Sequence, residues 1–268
     1  MNTAALADSL LAARQQAVCL PLPTETHPGF TVVQAYEVAD EVRRRRIAAG
    51  ERPCGYKIGF TNRSIWPKYG VHAPVWAPVW DSTLTFLSGS EATCSLEGLV
   101  QPRLEPEIVF GFAQTPRAGM SKAEFAVCLA WVAHGFEVVH THFDAWRFQA
   151  ADTVADFGLH GRLIVGPRVA VTAFAALSDD LARLRLQLDR DGIEIDQGQG
   201  SIVLDGPLNA LRLWVDAMAA QPQAWPIAPG DVVTTGTLTD AWPLAPGQRW
   251  QTRLSDTRLS GLNLTVVA

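Results

Sequence analysis

Apolar residues recur at helical spacing twice near the start of the chain, from about Thr3 to Ala17 and from Thr31 to Ala49. The second stretch stops at Gly50, a suitable residue to follow a helix end, and Pro21 to Gly29 between the two reads as a loop. From Gly55 onward the pattern changes to short apolar runs punctuated by Gly and Pro. These are Tyr56–Phe60, Leu104–Phe112, Phe136–His142, Leu163–Val165, Leu184–Leu188, Val232–Thr234 and Leu262–Val267. Two helical segments interrupt them, Lys122–Ala133 and Leu208–Ala220. Many short strands with few helices predict an α+β fold, a rolled or barrel-like mixed sheet after a helical beginning. The organisation expected is residues 1–54 as an N-terminal helical segment and 55–268 as a β-roll domain carrying the chemistry. No internal repeat or low-complexity tract is present.

Composition narrows the function classes. The chain has 268 residues, 48% hydrophobic and 18% charged, enough apolar material for a sizeable core. A net charge of −5 leaves no basic footprint for nucleic acid or an anionic membrane surface. The run Arg43-Arg44-Arg45-Arg46 lies in a helical pattern and reads as a solvated face. Cys19, Cys54, Cys94 and Cys128 are widely spaced with no C-x-x-C, which suits buried thiols in a reducing compartment. No apolar run is long enough to span a bilayer, and no basic region followed by an apolar stretch opens the chain, so a cytoplasmic protein is expected.

The chemistry concentrates at Gln101-Pro102-Arg103-Leu104-Glu105-Pro106-Glu107-Ile108. In an extended segment Glu105 and Glu107 share one face, two like charges in an otherwise apolar run. A hard divalent cation relieves both their repulsion and their burial. The plainer alternative is a solvent-facing pair on an edge strand. Glu137, within Gly135-Phe136-Glu137-Val138-Val139, could add a third oxygen or stand alone as an edge charge. Lys57 lies between Gly55 and Gly59; a partly buried lysine there could bind a carboxylate or, with a lowered pKa, move a proton. Asp152 and Asp156 open a loop ending at His160 and could hold the lysine or a water, or merely cap a helix. In Gly230–Thr237 a strand leads to a loop, Thr235-Gly236-Thr237, whose N–H groups and hydroxyls could bind an anion. His134, His140 and His142 lack the context of a zinc site, and the carboxylate set suits Mg²⁺ or Mn²⁺ better.

The order G-x-K-I-G-x-T, Q-P-R-x-E-x-E-I, E-V-V, D-T-V-A-D, P-L-N-A and G-D-V-V-T-T-G-T resembles the fumarylacetoacetate hydrolase superfamily. Within it, the chain is most similar to the 2-oxopent-4-enoate (2-hydroxypentadienoate) hydratase and 4-oxalocrotonate decarboxylase branch. The resemblance runs from about Gly55 to Val267. It implies a rolled mixed sheet and a Mg²⁺ or Mn²⁺ ion held by Glu105, Glu107 and Glu137. It also implies Lys57 beside that ion and Arg103 and the Thr235-Gly236-Thr237 loop near a small-molecule 2-oxo acid substrate. The branch promotes enol–keto tautomerisation of a chelated 2-oxo acid through an enolate stabilised by the cation. The function implied is a metal-dependent lyase, a hydratase of an unsaturated 2-oxo acid in degradation of ring compounds. A decarboxylase or C–C bond hydrolase on the same scaffold is the alternative, and a non-catalytic partner subunit a remote one. The branch further implies a homo-oligomer and allows a complex with a related decarboxylase.

Two departures matter. Hydratases of the branch commonly carry G-V-x-x-P-D-F-G, with an aspartate that takes part in proton transfer. This chain reads Gly70-Val71-His72-Ala73-Pro74-Val75-Trp76-Ala77, so Val75 stands at the aspartate position, and Trp76 and Trp80 suggest an apolar pocket wall. His72 and Asp81 are nearby acid–base substitutes. His160 stands where the branch often has a small residue and is the favoured replacement, with Asp152 and Asp156 brought beside Lys57.

Overall fold

Residues 1–222 and 225–268 are described by a computed structural model of the chain. The first helix spans Thr3–Gln16, its N-terminus capped by the Asn2 side chain, which accepts from Ala5 N–H. Thr31 and Gln34 form a reciprocal capping box that starts the helix Val32–Ala48. That helix buries Ala35, Tyr36, Val38, Ala39 and Val42, and packs on the short helix Ala150–Ala155.

The main sheet runs, in spatial order, Val75–Trp80, Pro53–Gly59, Val232–Thr237, Arg103–Phe112, Leu129–Val139, His160–Val165 and Leu84–Phe86. It is mixed: Pro53–Gly59 is parallel to Val232–Thr237, whereas Arg103–Phe112 is antiparallel to both its neighbours. A second sheet orders Ile193–Gln199, Arg185–Arg190, Arg249–Leu254, Asn263–Val267 and Glu91–Ser95. The helix Pro207–Ala219 turns Leu208, Leu211, Trp214, Val215 and Met218 inward at helical spacing. Each such large side chain contributes about 1.5–3 kcal/mol by leaving water. One continuous apolar cluster joins the N-terminal helices to the curled sheet, from Leu10 and Tyr36 through Ile58, Phe110 and Phe136 to Trp214.

Two local outcomes differ from the sequence pattern. The helix expected over Lys122–Ala133 stops at Val127, and Leu129–Val139 is a strand. The Ser121–Glu124 capping box starts the helix, but pairing with the whole length of Arg103–Phe112 claims the residues after Cys128. The Pro- and Trp-rich segment is the strand Val75–Trp80. Its Pro78 is tolerated because the strand lies at the sheet edge. Pro106, in mid-sheet, lies just past the register break with Val232–Thr237, and its carbonyl accepts from Leu238 N–H at 2.9 Å.

Candidate active site

The register of the two central antiparallel strands sets Glu105 directly opposite Glu137, and Glu107 opposite Gly135. Side-chain alternation turns all three carboxylates to one face, and one oxygen from each lies within 4.8 Å of the other two. Glu107 and Glu137 are fully buried and Glu105 half-buried. The bulge in Val232–Thr237 supplies Glu107 with its partners: Gly236 N–H donates to Oε2 at 2.6 Å, and the Thr234 hydroxyl donates to the same oxygen. Gly236 has φ of 104°, and a Cβ there would fall 1.8 Å from Thr61 Oγ1, so only glycine fits this turn. Glu107 Oε1 is left buried with no hydrogen-bond partner.

Glu137 is held from two sides. His160 Nδ1 lies 2.8 Å from Oε1, and Lys57 Nζ lies 3.3 Å from Oε2. Burial opposes ionisation of Glu137, but Lys57 and His160 outweigh it and lower its pKa. Burial raises Glu105 to about 7, with repulsion from Glu137 adding and Lys57 opposing. Glu107 is pushed well above the ordinary carboxylate range by burial and by its two acidic neighbours. Lys57 shows the reverse balance: burial would lower it, and attraction to Glu137, Glu105 and Glu107 wins, so its pKa is raised. Of the two roles the sequence left open for Lys57, carboxylate binding is the one the geometry shows, and the alternative of a lowered pKa gives way to a protonated ammonium.

Ionising all three carboxylates against one ammonium would leave two negative charges uncompensated, 3 − 1 = 2, the cost that raises Glu105 and Glu107. That deficit, the orphaned Glu107 Oε1 and an all-oxygen donor set fit a hard divalent cation.

A cavity of about 290 Å³ opens in front of this cluster. Lys57, Arg103, Glu105, Gly236 and Thr237 line it, as expected from the sequence. Thr235 does not; its hydroxyl turns away and donates to the Ile108 carbonyl. Val75 does line the cavity, beside Gly59, so the aspartate position lies at the site and carries an apolar side chain. Trp76 and Trp80 face the other way. Trp76 stacks on Tyr36 at 4.5 Å and Trp80 lies under Arg46, so neither forms the pocket wall expected of it.

The aromatic wall comes instead from residues the sequence pattern did not single out. Phe60 meets Tyr69 at 5.0 Å, Tyr69 meets Phe148 at 5.9 Å, and Phe148 meets Trp146 at 5.9 Å. Arg103 lies over the Trp146 ring at 4.2 Å.

Neither aspartate reaches Lys57. Asp152 accepts from Thr24 N–H, Thr24 Oγ1 and Gln149 N–H, a helix-capping arrangement that fills its oxygens. Asp156 accepts from His142 N–H and Thr141 Oγ1, and its Oδ1 lies 2.5 Å from His142 Nδ1. Of the other histidine candidates, His134, His140 and His72 do not reach the glutamate carboxylates, and His140 meets His142 edge-on at 4.9 Å. His134 lies between the Glu107 carbonyl and Thr252, and His140 accepts from Val100 N–H. His72 is exposed outside the cavity, and Asp81 pairs with Arg52. His160 touches Glu137 but stands behind it, not in the cavity. Burial, ahead of the pull of Glu137, lowers its pKa and keeps it neutral. Thr234 is the other residue missed; its signal was present in the same Thr-Thr-Gly-Thr run.

Comparison with known proteins places this geometry. No family model matches the chain. A 2-hydroxyhexa-2,4-dienoate hydratase of Comamonas testosteroni is 32% identical over 216 residues, 80% of this chain and 79% of that protein. A 4-oxalocrotonate decarboxylase of Pseudomonas putida is 28% identical, over 88% of this chain and 86% of its own. Among solved structures, 4-oxalocrotonate decarboxylase from Pseudomonas putida G7, complexed with magnesium and adipate, superposes with a TM-score of 0.90 at 24% identity. That match covers 99% of this chain and 97% of that one. By sequence kinship across most of its length, with the fold in agreement, the chain belongs to the 2-hydroxypentadienoate hydratase and 4-oxalocrotonate decarboxylase branch of the fumarylacetoacetate hydrolase superfamily.

Proposed function

We propose that this chain is a divalent-cation-dependent lyase that hydrates an unsaturated 2-oxo acid of the 2-oxopent-4-enoate type. The observation that carries it is the convergent trio Glu105, Glu107 and Glu137 beside one protonated lysine, with Glu105 and Lys57 on the wall of a cavity. The relatives named as hydratases of 2-hydroxydienoates support the substrate class. Glu105, Glu107 and Glu137 would hold Mg²⁺ or Mn²⁺, which supplies Lewis-acid polarisation of the substrate's oxygens.

The remaining work falls to the chain. Lys57 keeps its proton at Nζ, so it serves as a hydrogen-bond donor and proton source rather than as a resting base. The guanidinium of Arg103, with one long bond of 3.5 Å to the Ala241 carbonyl, has donors free for a substrate carboxylate. Thr237 and the turn at Gly236 border the same space. Val75, Phe60 and Phe148 exclude water from the far wall and accept an apolar, planar tail.

Decarboxylation is the second reading, and Val75 favours it. No carboxylate occupies the aspartate position in the cavity, and none of the histidine candidates among the described residues lines it. Four free cysteines support a reducing compartment, the cytoplasm, and the family branch supports a homo-oligomer. No described helix is long and apolar enough to cross a membrane.

The test is product analysis by mass spectrometry with 2-hydroxypenta-2,4-dienoate and with 4-oxalocrotonate, each with Mg²⁺. A product heavier by one water from the dienoate supports hydration. Carbon dioxide from the dioic acid with no hydrated product moves the assignment to decarboxylation.

A further inference from the structure

Glu137 faces the other two carboxylates and Lys57 on one side and a histidine on the other. His160 is 1% exposed and contributes nothing to the cavity wall. Both its ring nitrogens have partners: Nδ1 is 2.8 Å from Glu137 Oε1, and Nε2 is 2.8 Å from Thr83 Oγ1. Its backbone is fixed too, since the carbonyl accepts from Arg14 of the first helix at 3.1 Å.

The hydrogen-bond inventory assigns the protons. An ionised carboxylate can only accept, so Nδ1 carries the hydrogen. In a neutral ring Nε2 then accepts, and the Thr83 hydroxyl has two acceptors for its one hydrogen, Nε2 at 2.8 Å and the Trp80 carbonyl at 3.1 Å. Thr83 Oγ1 in turn accepts from Trp80 N–H at 3.2 Å, which holds the hydroxyl in place.

Glu107 is treated in a parallel way by different donors. Thr234 and Gly236 occupy its Oε2, and Oε1 remains open. Each buried carboxylate thus has one oxygen held by hydrogen bonds and one without such a partner, Glu137 Oε2 facing only the Lys57 ammonium at 3.3 Å.

We propose that His160, its Nδ1–H directed at Glu137 and its Nε2 backed by Thr83, is a positioning residue that ties Glu137 Oε1 and turns Oε2, which faces Lys57, to ligate the cation. This rests on the metal reading above. It replaces the proton-transfer role expected of His160 from the sequence, because the ring lies behind the ligand and both its nitrogens are engaged. Partners behind a ligand of this kind typically change metal affinity by about 10–100-fold.

The experiment is Mn²⁺ titration by calorimetry of the parent, His160→Gln, His160→Asn and Thr83→Val proteins, with thermal unfolding in chelator as the check of folding. Asparagine can place an N–H near the position of Nδ1, whereas glutamine reaches toward Nε2. His160→Gln should bind Mn²⁺ about 10–100-fold more weakly, and His160→Asn should stay within a few-fold of the parent. Thr83→Val leaves the imidazole in place but removes the partner of Nε2, and should fall between them. Equal affinity in parent and His160→Gln, or equal loss in the Asn and Gln variants, overturns the proposal. If the His160 variants do not fold, parent-like affinity in Thr83→Val overturns it alone. A parent that takes up no Mn²⁺ overturns the metal reading, and this inference with it.

Discussion

Lys57 Nζ lies 3.3 Å from Glu137 Oε2, although the strands that carry them are third neighbours in the sheet. A flat sheet would separate those backbones by about 14 Å, three spacings of roughly 4.8 Å. Curling of the sheet and the long reach of the lysine stem close the gap. The two residues are 80 positions apart in sequence, 137 − 57 = 80, and meet across the two strands, Val232–Thr237 and Arg103–Phe112, that lie between their own.

Replacing that lysine separates chemistry from site integrity. Lys57→Met keeps most of the stem and removes the charge. Turnover should fall by about 10²-fold or more, the scale for losing a general acid–base group. Mn²⁺ affinity should hold or rise, because a competing cation has left the carboxylates. Steady-state kinetics with calorimetry on the same sample checks both; loss of metal binding would make Lys57 structural.

Metal removal should carry a pH signature. In the metal-free protein Glu105 is raised to about 7 and Glu107 further, so folding favours their protonated forms. Unfolded carboxylates ionise near 4.5, so stability is lost as pH rises from 4.5 through 7, by about 1.4 kcal/mol per pH unit for each group. Buried His134, lowered to about 4, carries the opposite sign: its stability falls as pH drops from 6.5 toward 4. The histidine contribution is common to both samples, so the difference in Tm between Mg²⁺-loaded and chelator-treated protein isolates the glutamates. That difference should widen from pH 5 to pH 8. A constant difference would contradict the carboxylate trio as the metal site.

Thr234→Val removes a hydroxyl donated to the buried Glu107 Oε2 at nearly constant volume. A hydrogen bond to a charged group contributes about 1.5–3 kcal/mol, so Mn²⁺ binding should weaken by about tenfold or more. Unchanged affinity in a calorimetric titration would mean that Gly236 N–H alone orients the ligand.

Val75→Asp restores a carboxylate to the cavity wall. An acid placed in this buried position should lower stability by about 1–3 kcal/mol, read from urea unfolding. It should also shift products toward the hydrated form at the expense of carbon dioxide. An unchanged product ratio would show that position 75 does not decide the bond change.

Much of this was legible in the chain. Glu105 and Glu107 announced a shared face by their spacing, and Lys57 and Glu137 each stood out as charges in apolar runs. Their convergence was not legible from local pattern, since it depends on strand order and curl; family resemblance supplied it. The aromatic wall was missed because Phe60, Tyr69, Trp146 and Phe148 come from loops and short turns without periodicity. Trp146, with φ of 56°, sits in a backbone region that no residue pattern announces. The aspartates were misplaced for a different reason. In Asp152-Thr153-Val154-Ala155-Asp156 the helix turns Thr153 to the cavity and leaves both acids to cap and brace the backbone.

The most direct test of the metal-dependent lyase itself is turnover of 2-hydroxypenta-2,4-dienoate by protein stripped with excess chelator, followed by addition of Mg²⁺ or Mn²⁺. The account predicts that hydration stops in chelator and returns on adding the cation, in the parent but not in Glu105→Gln/Glu107→Gln protein. Full turnover in excess chelator would contradict it.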